Sequence, residues 1–149
     1  MRAAIVYTSI SGNTKALAYL LHEAFVKRLP QTGLYHIKDF PFQRIDELDA
    51  IAIGTYTWGD GDIPEEIMPL YQAIDKVPRP NMVTGVFGTG DSFYPRYCGA
   101  VDLFRDMLKE RTNLAVTLKV ELLPQLQDQQ KCLKFANIFL DRLLTNVFV

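Results

Sequence analysis

Five short apolar runs alternate with amphipathic helical patterns along the chain, and this alternation restricts the fold more than any other sequence feature. Repeated succession of strand, helix and strand builds a parallel sheet with helices on both faces. We therefore predict an α/β fold with a five-stranded parallel sheet of order 2-1-3-4-5. The length of 149 residues fits a single domain over 1–149.

The predicted elements follow from the spacing of apolar residues, which differs between strands and helices. Strands are expected at 2–7, 34–37, 49–54, 82–87 and 114–123. Helices are expected near 14–29, from Ile67, from about Ala100 and over about 128–144, and residues 38–47 are expected to be irregular. One apolar stripe of the third helix is predicted to face the core, formed by Ala100, Leu103, Phe104, Met107 and Leu108.

The net charge of −1 conceals a strong asymmetry along the chain. The segment 45–75 holds eight acidic residues and no Lys or Arg, so the rest of the chain is basic. The eight are Asp46, Glu47, Asp49, Asp60, Asp62, Glu65, Glu66 and Asp75. Charge runs are usually solvated faces, but this one also brackets an unusual loop, which favours an electrostatic docking patch.

Other features argue against several classes of protein. The basic residues are scattered without interleaved aromatic residues, which argues against nucleic-acid binding. Every apolar run is far shorter than the ~20 residues of a membrane-spanning helix, and the start lacks a signal-peptide pattern. Cys98 and Cys132 have neither metal-site nor disulfide spacing, so we expect free thiols in a cytoplasmic protein.

A loop rich in hydroxyl and amide side chains, 8–14, joins the first strand to the first helix. Helix N-termini carry unpaired N–H groups and the positive end of the helix dipole, and both attract anions. The loop contains no Lys or Arg, and the GxxxxGK[ST] pattern of nucleoside triphosphatases is absent. We interpret the loop as a pocket for one terminal phosphate, with ordinary helix capping as the alternative.

Two further loops, 55–64 and 88–99, follow the third and fourth strands and therefore lie at the same edge of the predicted sheet. Counting loop 8–14 as the first loop, the second loop, 55–64, contains the only tryptophan, Trp58, beside two glycines. The third loop, 88–99, contains Tyr94. The alternative for each aromatic residue is packing onto the domain itself. If the two rings oppose each other, they form a slot, which together with the phosphate pocket indicates a flat phosphorylated ligand such as FMN.

Three segments together resemble the flavodoxin family, and the resemblance covers essentially the whole chain. They are Thr8-Ser9-Ile10-Ser11-Gly12-Asn13-Thr14, Thr57-Trp58-Gly59-Asp60, and Gly90-Asp91-Ser92 continuing through Tyr94 to Tyr97-Cys98-Gly99-Ala100-Val101-Asp102. No insertion splits the fifth strand, which is typical of the short-chain type. The resemblance implies a flavodoxin-like three-layer sandwich that binds FMN non-covalently.

By this resemblance, the protein is a low-potential one-electron carrier rather than an enzyme with its own substrate. It would shuttle between the semiquinone and the hydroquinone of FMN, taking electrons from a flavodoxin reductase-type donor and passing them to acceptor enzymes. Flavodoxins are typically strongly acidic, whereas this chain has a pI of about 6.1. We expect a monomer that docks its partners through the acidic 45–75 face near the flavin and binds neither membranes nor nucleic acid.

The resemblance assigns the FMN site to residues of the three loops. Those expected around the phosphate are Thr8, Ser9, Ile10, Ser11, Gly12, Asn13 and Thr14. Those expected around the ring are Thr55, Tyr56, Thr57, Trp58, Gly59, Asp60, Gly61, Thr89, Gly90, Asp91, Tyr94, Tyr97 and Cys98.

Individual roles are also implied by the resemblance. Trp58 and Tyr94 would cover opposite faces of the ring, and Cys98 would sit near its polar edge as a spectator. The Gly59 peptide would flip on reduction so that its carbonyl accepts a hydrogen bond from flavin N5. The expected phosphate donors are Ser9, Ser11, Asn13 and Thr14. The acids expected to disfavour the anionic hydroquinone are Asp60, Asp62, Glu65, Glu66 and Asp91.

Two other functions are compatible with the same resemblance. One is a flavodoxin-like activator of manganese ribonucleotide reductase, which would generate an oxidant for its partner. The other is an FMN-dependent NAD(P)H quinone reductase, which would show two-electron turnover with NAD(P)H. A phosphoacceptor receiver needs an acidic cluster at the end of the first strand, where this chain has Tyr7-Thr8.

Overall fold

Five parallel strands form one sheet in the order β2-β1-β3-β4-β5 in the computed structural model, which describes residues 1–146. The strands are β1 (Ala3–Tyr7), β2 (Gly33–His36), β3 (Ala50–Thr55), β4 (Arg79–Gly90) and β5 (Thr112–Glu121). The helices are α1 (Asn13–Val26), α2 (Met68–Lys76), α3 (Gly99–Arg111) and α4 (Asp128–Asn146). The predicted fold class and strand order are confirmed. A single domain over 1–149 stays a prediction, and its last residues, 147–149, lie outside the described residues.

The central strands are apolar on both faces because helices cover both sides of the sheet. Side chains alternate along β1, so Ile5 and Val6 point to opposite faces, and neither has any exposed surface. Parallel pairing sets Ile5 beside Ala52 of β3, and Val6 beside Ile53.

Two hydrophobic clusters, one on each face of the sheet, confirm the predicted three-layer sandwich. Helices α1 and α4 pack on one face, where the ring centroids of Phe25 and Phe139 lie 5.0 Å apart. Helices α2 and α3 pack on the other, where Leu70 and Phe104 are fully buried. Full burial of one such side chain stabilises the fold by about 1.5–3 kcal/mol. Among the helices of residues 1–146, none has the length and apolar character needed to cross a bilayer.

The segment 38–47, expected to be irregular, is largely helical. It contains two short 3-10 helices, Ile37–Asp39 and Phe42–Glu47. The backbone N–H of Lys38 donates to His36 Nδ1 at 3.1 Å and thereby caps the first of them. The expectation was wrong because a 3-10 turn needs only one hydrogen bond per three residues and leaves little periodicity to detect.

Leu103 of α3 is 42% exposed, so its predicted place in the core is wrong. The other four residues of the predicted stripe are buried, and Val101 is buried as well. The buried arc therefore extends toward Val101, on the side of the stripe away from Leu103. A stripe read from apolar spacing alone does not show which of its margins meets the sheet.

The strands after α2 and α3 also differ from the prediction at their ends. Strand β4 runs to Gly90 rather than 87, and β5 stops at Glu121 rather than 123. Leu122 takes the left-handed conformation, with φ 54°, and its N–H donates to the Gly90 carbonyl at 2.7 Å. This turn ends the pairing of β5 two residues before the predicted boundary.

All strands are parallel, so the loops that follow their last residues share one edge of the sheet, the carboxyl edge; the opposite edge is the amino edge. Strand β3 and helix α2 cross the sheet in opposite directions, and they divide the eight acids of 45–75 between the two edges. The amino edge holds Asp46, Glu47, Asp49 and Asp75. The carboxyl edge holds Asp60, Asp62, Glu65 and Glu66. The prediction of one acidic face over 45–75 is therefore wrong.

Candidate cofactor-binding site

A cavity of about 630 Å³ opens at the carboxyl edge, between the loops that follow β1, β3 and β4. Its volume lies within the ~300–1,000 Å³ of typical small-molecule sites. Twelve predicted site residues line it: Ile10, Ser11, Asn13, Tyr56, Thr57, Gly59, Asp60, Thr89, Gly90, Asp91, Tyr94 and Cys98. The structure therefore brings the three predicted loops together at one place.

The other eight predicted residues lie outside the cavity wall, namely Thr8, Ser9, Gly12, Thr14, Thr55, Trp58, Gly61 and Tyr97. Several of these hold the loops in place. The hydroxyl oxygens of Thr14 and Thr89 lie 2.7 Å apart, and this buried pair joins the first loop to the third. Thr55 Oγ1 donates to the Tyr56 carbonyl at 2.7 Å and fixes the exit from β3.

The first loop presents backbone donors at the N-terminus of α1. Gly12 adopts a left-handed φ of 92°, and its N–H donates to Ser9 Oγ at 3.2 Å, as does the N–H of Lys15. The N–H groups of Ser11, Asn13 and Thr14 have no acceptor among residues 1–146. The first turn of α1 carries no acidic residue. These free donors and the helix dipole make this end of the cavity suited to an anion.

Thr8 belongs to a polar cluster behind the first loop. Its Oγ1 donates to Glu66 Oε1 at 2.7 Å, and Glu66 also lies 3.3 Å from His36 Nε2 and 3.5 Å from Lys38 Nζ. Burial alone raises the pKa of Glu66, but the Thr8 hydrogen bond and the two neighbouring bases outweigh it, so the pKa is lowered. The charge of Glu66 is thus compensated locally, unlike that of Asp60, Asp62 and Glu65, which have no ion-pair partner among residues 1–146.

The second loop makes a tight turn from Trp58 to Asp62. The two residues exchange backbone hydrogen bonds of 2.9 and 2.7 Å, and Gly59 and Gly61 between them have φ of 53° and 107°. Such angles strain any residue with a Cβ, which explains the two glycines. Trp58 is 56% exposed, so it does not fold back into the core. It is not among the residues that line the cavity, although its neighbours Thr57 and Gly59 are.

Close contact with α3 fixes the second loop in position. Thr57 Oγ1 accepts a hydrogen bond from the Ala100 N–H at 3.1 Å. A Cβ added to Gly99 would lie 2.9 Å from the Cα of Gly61, so only glycine permits the backbones to approach this closely. The turn that lines the cavity therefore depends on the first residues of α3.

The third loop supplies an exposed aromatic residue and a buried thiol. Asp91 Oδ1 accepts from the Phe93 N–H at 2.9 Å, and the Asp91 carbonyl accepts from the Tyr94 N–H at 3.1 Å. Tyr94 lines the cavity and is 68% exposed, as expected of a ring that awaits a flat ligand. Cys98 is buried with φ 52°, and burial raises the pKa of its thiol to about 11, so it is protonated at neutral pH.

Three residues on the wall were not predicted: Pro95, Arg96 and Leu122. Arg96 lies inside the third loop, between Tyr94 and Tyr97, and could have been included from its position alone. Leu122 reaches the cavity because of its left-handed turn after β5. Leu122 could have been predicted from the topology, because the residues that follow every parallel strand lie at the same edge of the sheet.

The Flavodoxin family model matches residues 5–135 of the chain. The chain belongs to the flavodoxin family. Probable flavodoxin 1 of Bacillus subtilis (strain 168) is 37% identical over 143 residues, which cover 93% of this chain and 90% of that protein.

Solved flavodoxin structures agree with this assignment. Oxidised flavodoxin 1 from Bacillus cereus superposes with a TM-score of 0.86 at 35% identity, covering 95% of this chain and 98% of that one. A short-chain flavodoxin associated with a bacterial microcompartment gives a TM-score of 0.87 at 26% identity, covering 95% and 97%. The predicted short-chain type is confirmed.

Family and fold together make this protein an FMN-binding electron carrier and not an enzyme, as predicted. Flavodoxins pass electrons between redox partners. No feature of residues 1–146 or of the relatives described above favours the ribonucleotide reductase activator or the quinone reductase. The cavity fits FMN, because free backbone donors lie at one end and an exposed aromatic ring lies at the other.

Proposed function

We propose that this flavodoxin is a low-potential carrier that takes single electrons from a flavodoxin reductase-type donor and passes them to acceptor enzymes. The observation that supports this most is the two-ended cavity at the carboxyl edge, with anion-binding N–H groups at one end and exposed Tyr94 at the other. When bound, FMN supplies the one-electron chemistry. The chain itself binds the cofactor, orients it and sets the charge around it.

The phosphate end of the site is formed by the first loop. The N–H groups of Ser11, Asn13 and Thr14 donate to the phosphate together with the hydroxyl and amide side chains there. The Ser9 oxygen already accepts two backbone N–H groups at 3.2 Å, and its own proton is free to point at the phosphate. Because no Lys or Arg lies in the loop, the phosphate keeps its negative charge.

The ring end of the site is formed by the second and third loops. Tyr94 covers one face of the ring, and residues 57–61 border the other. Trp58 lies outside the wall, so its predicted stacking requires its side chain to turn toward the cavity when FMN binds. The left-handed Gly59 lowers the steric cost of a peptide flip that presents its carbonyl to the flavin.

Partners dock, in this proposal, on the part of the acidic segment that lies beside the cavity. Asp60, Asp62 and Glu65 are exposed there and have no ion-pair partner among residues 1–146. Exposed apolar residues lie at the same edge, including Phe93 at 93% and Leu126 at 83% exposure. A basic partner surface with an apolar centre complements this arrangement. We also propose that the protein acts as a monomer in the cytoplasm, consistent with its two buried thiols.

The test is cofactor uptake by the apoprotein, followed through the quenching of flavin fluorescence. We expect one FMN per chain and an affinity for riboflavin that is lower by about a hundredfold or more, because riboflavin lacks the phosphate that the first loop binds. Reduced pyridine nucleotide should reduce the bound FMN only when a reductase-type donor is added. Equal binding of FMN and riboflavin would contradict the phosphate site, and reduction without a donor would contradict the carrier.

A further inference from the structure

Arg96 is the one cationic side chain on the cavity wall, within the part of the chain that the structure describes. The wall also carries two carboxylates, Asp60 and Asp91. Arg96 forms no ion pair with any residue of 1–146, and its side chain is exposed. Its charge is therefore not neutralised by the fold. The nearby Lys119 differs, because it lies 2.9 Å from Asp102 and outside the wall.

The stem of Arg96 is held by the second loop. A Cβ built on Gly61 would lie 2.7 Å from Arg96 Cδ and 3.1 Å from Arg96 Cβ, so the stem packs directly over the Gly61 backbone. The guanidinium begins one bond beyond Cδ and therefore stays close to this turn. Arg96 thus bridges the third loop to the turn that borders the flavin in the proposed site.

An electron that enters the bound flavin without a proton adds one negative charge at this wall. A cation a few ångströms away stabilises that charge, and carboxylates at similar range destabilise it. We propose that Arg96 is an electrostatic positioning residue that favours uptake of the second electron and so limits how far the surrounding acids lower the potential of that step. This inference rests on the proposed function, in which FMN occupies the cavity.

Four variants separate the charge of Arg96 from its packing. Arg96→Met keeps an unbranched stem over Gly61 and removes the charge, whereas Arg96→Lys keeps the charge. Arg96→Glu reverses it. Lys109→Gln is the matched control, because Lys109 is exposed near the far end of α3 and its loss changes the net charge by the same amount as Arg96→Met.

The measurement is a reductive titration of each FMN-loaded variant with dithionite as electron donor and reference dyes as potential indicators. At equal ambient potential, we expect the ratio of two-electron-reduced to one-electron-reduced FMN to fall about threefold to tenfold in Arg96→Met and further in Arg96→Glu. A tenfold fall corresponds to 59 mV for a one-electron step. Arg96→Lys and Lys109→Gln should stay within about twofold of the unmodified protein, and added salt should shrink the Arg96→Met difference.

The proposal is overturned if Arg96→Met binds FMN normally and its second reduction step matches that of Lys109→Gln. It is also overturned if Arg96→Lys shows the same change as Arg96→Met, since packing rather than charge would then be responsible. Failure of the unmodified apoprotein to take up FMN would contradict the proposed function and this inference together. Normal uptake with an unchanged second step would contradict this inference alone.

Discussion

The acids of segment 45–75 differ between the two edges of the sheet in whether a basic residue pairs with them. At the amino edge, Asp46 pairs with Arg79 at 2.8 Å, and Asp75 pairs with Arg111 at 3.2 Å. Glu47 is likewise held by Arg44 at 2.7 Å. At the carboxyl edge, three acids of the second loop region have no such partner among residues 1–146, namely Asp60, Asp62 and Glu65. The acidic segment looks uniform in sequence, but three of its four acids at the amino edge are ion-paired, whereas at the carboxyl edge Glu66 alone of its four has ion-pair partners in residues 1–146.

Backbone conformation differs between the edges in the same sense. Every residue of 1–146 with a positive φ lies at the carboxyl edge: Gly12, Gly59, Gly61, Cys98 and Leu122. The glycines adopt these angles freely, so of these five only Cys98 and Leu122 are strained. Strain of this kind concentrates at functional sites, where a local cost is tolerated because it fixes a binding geometry. At the amino edge three acids of 45–75 are ion-paired, whereas the carboxyl edge leaves N–H donors, charges and apolar surface for a cofactor and a partner to complete.

Among the changes that test the difference between the two edges, Gly99→Ala is expected to have the largest effect, on the affinity for FMN. The added Cβ would lie 2.9 Å from Gly61 Cα and 3.1 Å from the Gly61 carbonyl oxygen, and backbone atoms cannot rotate away. Overpacking of this kind costs about 1–3 kcal/mol. Because the displaced turn borders the cavity, we expect the Kd for FMN to rise by about tenfold to a hundredfold in a fluorescence titration.

Gly33→Ala is the matched variant at the amino edge. Its Cβ would meet Tyr35 Cε2 at 2.7 Å, which is a slightly shorter contact than the one at Gly99, but the tyrosine ring is able to move. FMN affinity should therefore change by less than about twofold. If the two variants weakened FMN binding equally, the turn next to Gly99 would have no special role in the site.

The second prediction compares the charges of the two edges directly. Removing the free acids with Asp60→Asn, Asp62→Asn and Glu65→Gln should lower the association rate with a reductase-type donor by about tenfold at low salt. The effect should diminish as salt is raised, because exposed charges are screened. Stopped-flow kinetics over a range of ionic strength gives both quantities.

The control triple variant neutralises three acids at the amino edge, Asp46→Asn, Glu47→Gln and Asp75→Asn. It changes the net charge by the same amount, but the three acids lie far from the cavity and are already paired with Arg44, Arg79 and Arg111. We expect less than about a twofold change in association rate. Equal effects of the two triple variants would mean that net charge, rather than a local docking surface, steers the partner.

The third prediction concerns the strained backbone at the carboxyl edge. A left-handed conformation costs an L-residue about 1–2 kcal/mol, whereas glycine adopts it freely but gains about 0.5–1 kcal/mol of chain entropy on unfolding. Leu122→Gly should therefore leave the free energy of unfolding unchanged or raise it by up to about 1.5 kcal/mol. Leu123→Gly, at a neighbour without a positive φ, should lower it by about 0.5–1 kcal/mol. Urea unfolding of both variants measures the difference, and an equal loss in both would show that Leu122 is unstrained.

Much of the fold could be predicted from the sequence because its signals are local or topological. Apolar runs located all five strands, and the alternation with helices led to the confirmed order. The end of β5 could not be predicted, because Leu122 turns through a hydrogen bond to Gly90, which is distant in sequence. Leu103 was misplaced because spacing alone does not fix the rotation of a helix against the sheet.

The site was predicted less completely, for similar reasons. The three loops could be located because strand ends meet at one edge, but which side chain faces the cavity depends on contacts between loops. Thr14 bonds to Thr89 and Thr8 to Glu66, so both hydroxyls lie behind the wall. The acids of 45–75 were assigned to one face because a charge count does not register that the chain crosses the sheet between them.

The smallest expected effect concerns Glu66, which among the acids of 45–75 at the carboxyl edge is the one with ion-pair partners in residues 1–146. Its pKa is lowered in the folded protein, so its ionised form stabilises the fold above the unfolded pKa of about 4.5, and this contribution is lost as pH falls through the folded pKa. Glu66→Gln should therefore destabilise the protein by about 0.5 kcal/mol at neutral pH, given the partial exposure of the pair. The difference should shrink as the pH falls from about 5 to about 3.

Urea unfolding of the unmodified protein and Glu66→Gln at several pH values measures this difference. Glu65→Gln is the matched control for the loss of one surface carboxylate, because Glu65 is the exposed neighbour without an ion partner in residues 1–146. A Glu66→Gln difference that stays constant over this pH range would contradict a contribution from the charge of Glu66, since the Gln amide oxygen can still accept the hydrogen bond from Thr8. None of the acids of 45–75 at the carboxyl edge would then stabilise the fold through its charge, and the contrast with the amino edge would be sharper still.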